Sequence, residues 1–362
     1  MVSKSIKVAV IGVGFGTSVQ IPGFQSEGID VVAVCASRKD RANDAAQKFA
    51  IPHAYDNYQT LLCNPDIDAV SIVTPPFLHY EMTMAALDAG KHILCEKPFA
   101  LDQNQAHSMY QKASNARLTA MITHEFRFAP ARAYVKELLA QGYIGELRMA
   151  SIALFTGPIS KPQPRPLTWH AVSAQGGGFL GALGSHYIDC LRDWFGEIDS
   201  VVGATFAHDL NRVDQHTNKT VTGDSDDGFQ FTVDFETGGT ASMIASSSAP
   251  YGGGCKIDIY GSEGTLQTCQ SGFNPLPGGT VYGARYIDGT TLQELPVPST
   301  YIPFEDARDS RLLPFRILVR KFIQGISDGT SPSPNFYDGL RCQQILDSVR
   351  QSSKTGKRIQ LT

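Results

Sequence analysis

Four groups of residues have types and spacings that could do chemistry. The stretch HILCEKPFALD, His92 to Asp102, ends an apolar run on Glu96, Lys97 and Pro98. A carboxylate there could hold hydroxyl groups, and an ammonium could give or take a proton at a reacting oxygen. Pro98 cannot extend a strand ladder and fixes the chain just beyond it, so both charged side chains start from a held backbone. The turn GVGFGT, Gly12 to Thr17, spaces Gly12 and Gly14 so that a phosphate could approach the backbone at a helix start. In VCASRKDRA, Ser37 and Arg38 follow another apolar run, and a hydroxyl beside a guanidinium suits a phosphate monoester. In GGGFLGALGSHYIDCLRDWFG, Gly176 to Gly196, His186 and Asp189 stand three residues apart on one helical face, where the carboxylate could orient the imidazole. Each group has a plainer alternative: a solvated charged pair, a tight turn, a solvated helix start, and a hydrogen-bonded structural histidine.

The elements around these groups decide between the alternatives. Ile6 to Ile11 is a continuous apolar run, as are Val31 to Cys35, Ala69 to Val73, His92 to Cys95 and Leu118 to Ile122. Such runs describe strands buried on both faces. Between them, Arg41 to Phe49 and Tyr80 to Ala89 carry apolar residues at helical spacing. Alternating strands and helices predict a parallel sheet covered on both sides, whose ligands bind beyond the carboxyl ends of the strands. The glycine turn, Ser37–Arg38, the stretch TPPFLH and the Glu96–Lys97 pair all fall at such ends. A G-x-G after a strand and inside a βαβ unit predicts dinucleotide binding, although Thr17 stands where a third glycine is usual. An NAD site usually offers a carboxylate at the second strand end. Ala36, Ser37 and Arg38 stand there instead, with Asp40 too far along, so NADP(H) is the expected preference and NAD(H) remains possible.

Beyond about residue 125 the pattern changes. Phe229, Phe231, Val233 and Phe235 alternate with Gln230, Thr232 and Asp234, a half-buried strand. Leu147 to Phe155, Val201 to Phe206, Thr240 to Ser246 and Lys256 to Tyr260 read as further strands. Strands in succession predict a mostly antiparallel sheet with one open face, and helices over 179–194, 314–325 and 337–353 are expected to gather on the other. Residues 207–225 and 271–300 read as loops or irregular hairpins. The fold class is therefore α/β: a doubly wound parallel sheet over 1–124, then an α+β domain over 125–362 with an open, mostly antiparallel sheet.

Composition narrows the function. The 362 residues exceed one compact core, and a net charge of −4 with no long basic run argues against a nucleic-acid partner. The apolar N-terminal run is short and ends in glycines, a strand rather than a leader or membrane span. Seven cysteines, an odd number with no C-x-x-C pair, predict reduced thiols in a cytoplasm. No His or Cys stands at metal-ligand spacing near His186, so no metal is expected.

Several segments together resemble the Gfo/Idh/MocA family of NAD(P)-dependent sugar and cyclitol oxidoreductases. They are VIGVGFG, DIDAVSIVTPPFLHYEMTMAALDAGKHILCEKP, HEFRFAPAR, YIGELR, the glycine-rich His186 segment and FYDGLRCQQILDSVRQSSKTGK. The likeness spans nearly the whole chain. It implies a Rossmann domain followed by an α/β domain whose open sheet often serves oligomerisation, here as a homodimer or homotetramer. It also implies that Lys97 acts beside the nicotinamide and that Glu96 contacts its ribose. Gly12, Gly14, Phe15, Gly16 and Thr17 would form the phosphate turn, and Thr74, Pro75, Pro76 and His79 would line the cofactor. His186 matches the histidine that faces a sugar-like substrate, and Arg127 and Trp169 lie in segments that reach the nicotinamide or substrate. His124 is placed where many relatives carry an asparagine. Many also carry an aspartate four residues before the histidine; Ala182 stands there in this chain. That departure leaves two expectations: a dehydrogenase relying on Lys97 and His186, or a cofactor- or sugar-sensing regulator without turnover.

Overall fold

The computed structural model describes residues 5–157, 165–271 and 279–361. It forms two compact units. The first runs through Glu125 and also takes Asp306–Gln343; the second takes Phe126–Glu305 and the chain from Gln344 onward. A single cut between 124 and 125 therefore does not describe the packing.

The first unit is built on six parallel strands: β1 (Lys7–Ile11), β2 (Asp30–Cys35), β3 (His53–Tyr55), β4 (Ala69–Ile72), β5 (His92–Cys95) and β6 (Ala120–Ile122). Their order is β3-β2-β1-β4-β5-β6, with the reversal of winding between β1 and β4. Its helices are α1 (Ile21–Ser26), α2 (Lys39–Phe49), α3 (Tyr58–Leu62), α4 (His79–Asp88) and α5 (Gln103–Ala116). Asp102 caps α5 by accepting from the backbone N–H groups of Asn104 and Gln105, and Asn57 caps α3 through Thr60. Val8, Ala9, Val10, Val70, Ile93 and Leu94 are fully buried, as the apolar runs require.

In the second unit the helices are α6 (Pro130–Ala140) and α7 (Ser185–Phe195). Its large sheet comprises β7 (Leu147–Phe155), β9 (Ile198–Phe206), β12 (Gly228–Phe235), β13 (Thr240–Ser246), β14 (Gly254–Gly261), β15 (Gly264–Gln270), β16 (Thr280–Arg285), β17 (Gln293–Leu295) and β18 (Ile359–Gln360). The order is β17-β16-β15-β14-β7-β13-β12-β9-β18, and only β7 and β13 run parallel among these neighbours. Phe229, Phe231, Val233 and Phe235 face the core, whereas Met149 and Ile244, on the other face, are 54% and 42% exposed. Residues 211–213 (β10) and 220–222 (β11) form a small antiparallel hairpin, and β10 also pairs with β8 (Arg165–Pro166). The stretch 271–300, expected as loop or irregular hairpin, lies partly outside the described residues and otherwise contributes β16 and β17, which pair antiparallel.

One expected helix sits elsewhere. The apolar stretch near 314–325 forms α8 (Leu312–Asp328), which belongs to the first unit and not to the cover of the second sheet. Phe315 meets Phe24 of α1 edge-on at 5.8 Å, and both are fully buried. Burial of two such rings contributes roughly 1.5–3 kcal/mol each. Arg316 and Arg320 then clasp Glu27 at 2.6 and 2.5 Å. An amphipathic stripe specifies that a helix packs, not against which sheet. The last helix is α9 (Phe336–Thr355).

Candidate active site

The register of the parallel sheet builds the first part of the site. Ile11 pairs with Cys35 and Ile72, Ile72 with Cys95, and Cys95 with Ile122, so five strand ends are level. The ladder continues one residue beyond them: Gly12 N–H donates to Cys35 at 2.9 Å, Val73 to Ile11 at 2.8 Å, Glu96 to Ile72 at 2.9 Å and Thr123 to Cys95 at 2.9 Å. The residues after each strand thus share one edge of the sheet.

At β1 this edge carries the glycine turn. Gly12 has φ of +119°, and a Cβ there would stand 2.3 Å from the Val73 carbonyl oxygen, so a side chain is excluded. A Cβ at Gly14 would meet nothing within 4 Å. The turn therefore packs tightly against β4 at Gly12 and is open at Gly14, which fits a phosphate approaching the backbone. Thr17 closes the turn, its hydroxyl donating to the Val13 and Gly14 carbonyls at 3.0 and 3.1 Å. Gly16 is buried and Phe15 half-buried. At β2, Ser37 and Arg38 are exposed, and Arg38 pairs with Asp40 at 2.9 Å.

At β4 and β5 the two loops are tied together. The ring nitrogens of His79 face the carbonyl oxygens of Pro98 at 3.0 Å and Thr74 at 2.9 Å. His79 is fully buried, and burial holds its pKa below the usual histidine range. Between these two carbonyls it ties the Thr74–Pro75–Pro76 loop to the Lys97–Pro98 turn. Thr74 and Pro75 are half-buried and Pro76 is buried.

Glu96 is buried, and its carboxylate is held. One oxygen accepts from Gln20 Nε2 at 2.8 Å and the other from the Lys97 backbone N–H at 3.1 Å. Gln20 in turn accepts from the Ser71 hydroxyl. Burial raises the pKa of Glu96, against the opposing pull of Lys97. Lys97 itself is half-buried.

Two residues absent from the sequence-based set join this edge. Glu125, which follows β6, is 3% exposed, and its pKa is pushed up to about 8 by burial first and the Glu96 charge second. Arg311, just before α8, lies over the Phe15 ring at 4.8 Å and pairs with Asp309 at 2.5 Å. It also interacts electrostatically with Glu125 and Glu96. Its signal was invisible because nearly 300 residues separate it from Phe15. His124 is 1% exposed and lies within the same buried stretch.

The second unit holds its own cluster. His186, on α7, is buried with its ring stacked on Phe126 at 3.7 Å and 8°. Asp189, one turn later, engages Arg127 through both oxygens, at 2.5 Å to Nε and 2.6 Å to Nη2. Arg127 Nη1 reaches Asp193 at 3.0 Å, and Lys136 joins Asp193 at 2.6 Å. Arg127 is thus tied to α7 through Asp189 and Asp193. Trp169 lies against His170 with ring centroids 3.6 Å apart. Ala182 falls in the turn Leu180–Gly184 that leads into α7. Among the described residues, no group of three or more His, Cys, Asp or Glu side chains could hold a metal ion, and no helix is long and apolar enough to cross a membrane.

A doubly wound sheet with a phosphate-type glycine turn, joined to a second domain with a large mixed sheet, defines a dinucleotide-binding oxidoreductase architecture. The chain belongs to the Gfo/Idh/MocA oxidoreductase family: residues 6–124 match its NAD-binding Rossmann fold, and residues 136–361 match its C-terminal alpha/beta domain. It is 33% identical over 359 residues to an uncharacterized oxidoreductase of Synechocystis sp., covering 97% of this chain and 94% of that one. Levoglucosan dehydrogenase of Pseudarthrobacter phenanthrenivorans is 28% identical over 353 residues, covering 88% and 86% of the two chains. A solved levoglucosan dehydrogenase in complex with NADH and L-sorbose superposes with a TM-score of 0.89 at 23% identity, over 99% of each chain.

Proposed function

We propose that this chain oxidises or reduces a carbinol or carbonyl carbon of a sugar-like or cyclitol substrate, with a nicotinamide dinucleotide as the hydride partner. The observation that carries the reading is the Glu96–Lys97 pair, its buried carboxylate held by hydrogen bonds from Gln20 and the Lys97 backbone, on the same sheet edge as the open Gly14 turn. When bound, the dinucleotide supplies the hydride acceptor or donor; the remaining work falls to the chain. The glycine turn from Gly12 to Thr17 and the Thr74–Pro76 loop would hold the cofactor, and Glu96 would anchor its ribose. Lys97 polarises the reacting oxygen as a cation and passes the proton. His186 is the second proton-handling group, and Asp189 fixes its helix through Arg127. The substrate class is supported by the levoglucosan dehydrogenases among the similar proteins. A screen of aldoses, ketoses, inositols and anhydrosugars, followed at the absorbance of the reduced nicotinamide with each cofactor, tests the reading. Tight cofactor binding without turnover on any of them would favour a non-catalytic sensor instead.

NADP(H) is proposed as the preferred cofactor because Ser37 and Arg38 stand where a carboxylate would select NAD(H). The solved levoglucosan dehydrogenase carries NADH, so the preference is a claim about this second strand end alone. A charge-assisted hydrogen bond contributes about 1.5–3 kcal/mol, or roughly a ten- to hundredfold difference in affinity. Calorimetry with both cofactors should show that difference, and Arg38→Ala should remove it. Equal or tighter NAD(H) binding, or unchanged discrimination in the variant, refutes the preference.

The open face of the large sheet is proposed to be covered by a second copy. Met149, Ile244 and Tyr260 are exposed on it, and an apolar sheet face is rarely left to solvent. Light scattering at micromolar concentration should report a dimer or tetramer; a monomer counts against it. All seven cysteines are free thiols, which supports a reducing, cytoplasmic setting.

A further inference from the structure

The edge that carries Lys97 also carries a second carboxyl group, on Glu125, that the reading above leaves without a task. Its position follows from the sheet. Cys95 and Ile122 are paired, and Thr123 N–H donates to the Cys95 carbonyl at 2.9 Å. Lys97 lies two residues past the first of these strands and Glu125 three past the second. Glu125 opens the short turn Glu125–Phe128. Its charged surroundings within the unit are Glu96 and Lys97, just past β5, and Arg311 from the segment before α8. His124 precedes it. Oε2 of Glu125 is buried with no hydrogen-bond partner among the described residues.

A buried carboxyl of this kind is costly unless it serves something. Two carboxyl groups and one ammonium form a cluster that is neutral with one proton shared between the acids. Such a cluster can take up a proton from the ammonium without creating an isolated buried charge.

We propose that Glu125 is the proton partner of Lys97, receiving the proton that Lys97 takes from the substrate and returning it in the reverse direction. This deepens the functional reading above and rests on it. In the oxidation direction the carbinol C–H bond breaks and its hydrogen leaves with the electron pair to the dinucleotide. The O–H bond breaks, its electrons form the carbonyl, and its proton goes to the neutral Lys97 amine. The resulting ammonium gives a proton to the Glu125 carboxylate, which becomes the acid and later yields it to solvent. Reduction runs the same transfers backwards. Glu125 acts through Lys97, so it is a positioning residue rather than a catalytic one.

The raised pKa supplies a readout that needs no substrate. An acid whose folded pKa, about 8, lies above its unfolded value keeps its proton when the unfolded chain has lost it. Stability from this group is fully present below the unfolded pKa near 4.5 and declines as pH rises to about 8. Glu125→Gln replaces the acid form and abolishes that decline. The isolated protein and its Glu125→Gln and Glu125→Asp variants are unfolded in urea across pH 5 to 9. The Gln variant should match the native chain at pH 5 and exceed it at pH 9. In single-turnover hydride transfer on the best substrate it should lose at least tenfold and lose the pH dependence near 8. Dinucleotide affinity should stay within threefold, and the Asp variant should recover part of the rate.

If the native chain turns over no sugar, the functional reading fails, and the pH–stability comparison still reports whether the shared proton exists. A stability difference that does not change with pH overturns the inference. A Glu125→Gln enzyme within threefold of the native rate and with the native pH profile overturns it equally.

Discussion

Lys97→Met should bind the dinucleotide as the native chain does and lose a factor of about 10²–10⁴ in hydride transfer, or roughly 3–5 kcal/mol of transition-state stabilisation. The side chain keeps its length and apolar stem, so the hydrogen bonds of Glu96 to Gln20 and to the residue-97 backbone remain possible. What disappears is the cation at the reacting oxygen and the proton it carries. His186→Ala should lose less if Lys97 is the principal acid and base, and as much if the two act as a unit. Single-turnover measurements on the best substrate separate these cases. A Lys97→Met enzyme within threefold of native would falsify the assignment and revive the sensor reading.

The second large effect concerns stability. Asp189→Ala should cost about 3–5 kcal/mol, because it strips two short hydrogen bonds from a guanidinium whose side chain is only 6% exposed. Asp193 still reaches Arg127 Nη1 at 3.0 Å, so the loss should fall toward the lower end. Arg127→Ala should cost a comparable amount, by removing the guanidinium that both buried Asp189 oxygens engage. The double variant should cost clearly less than the sum of the two, since each single change already abandons the same pair. Urea unfolding of the four proteins measures the coupling. Additive losses would mean that the pair holds α7 no more firmly than its other contacts do, and would remove Asp189 from any role in fixing His186.

These two residues illustrate what can be read from a sequence and what cannot. Asp189 stands three residues from His186, and helical spacing alone suggested that it might serve the imidazole. Its carboxylate also embraces an arginine 62 residues away, a partnership that no local pattern announces. Lys97 was legible because the apolar run before it, the proline after it and the alternation of elements all point to a ligand edge. Glu125 was not: in THEFRF a glutamate looks like a solvated surface residue, and only the register of β5 with β6 buries it. The strands with long apolar runs or strict alternation could be recognised, while β3 has three residues, two of them His and Tyr, and carries no periodicity to detect. Arg38 could be placed at its strand end from the sequence, but its pairing with Asp40 could not.

The closure of the first unit by Asp306–Gln343 bears on how the protein is made. A nascent chain whose β1 to β6 have just emerged from the ribosome still has Phe24 and Glu27 bare, since their partners Phe315, Arg316 and Arg320 have yet to be translated. The 180 residues from 126 to 305 take roughly 10–40 s to synthesise at about 5–20 residues per second. Throughout that interval the N-terminal sheet waits as an unfinished layer with an apolar seam along α1, open to chaperones and to other nascent chains. The intervening domain, contiguous for most of its length, can collapse in the meantime, so the part of the protein that begins first is finished among the last.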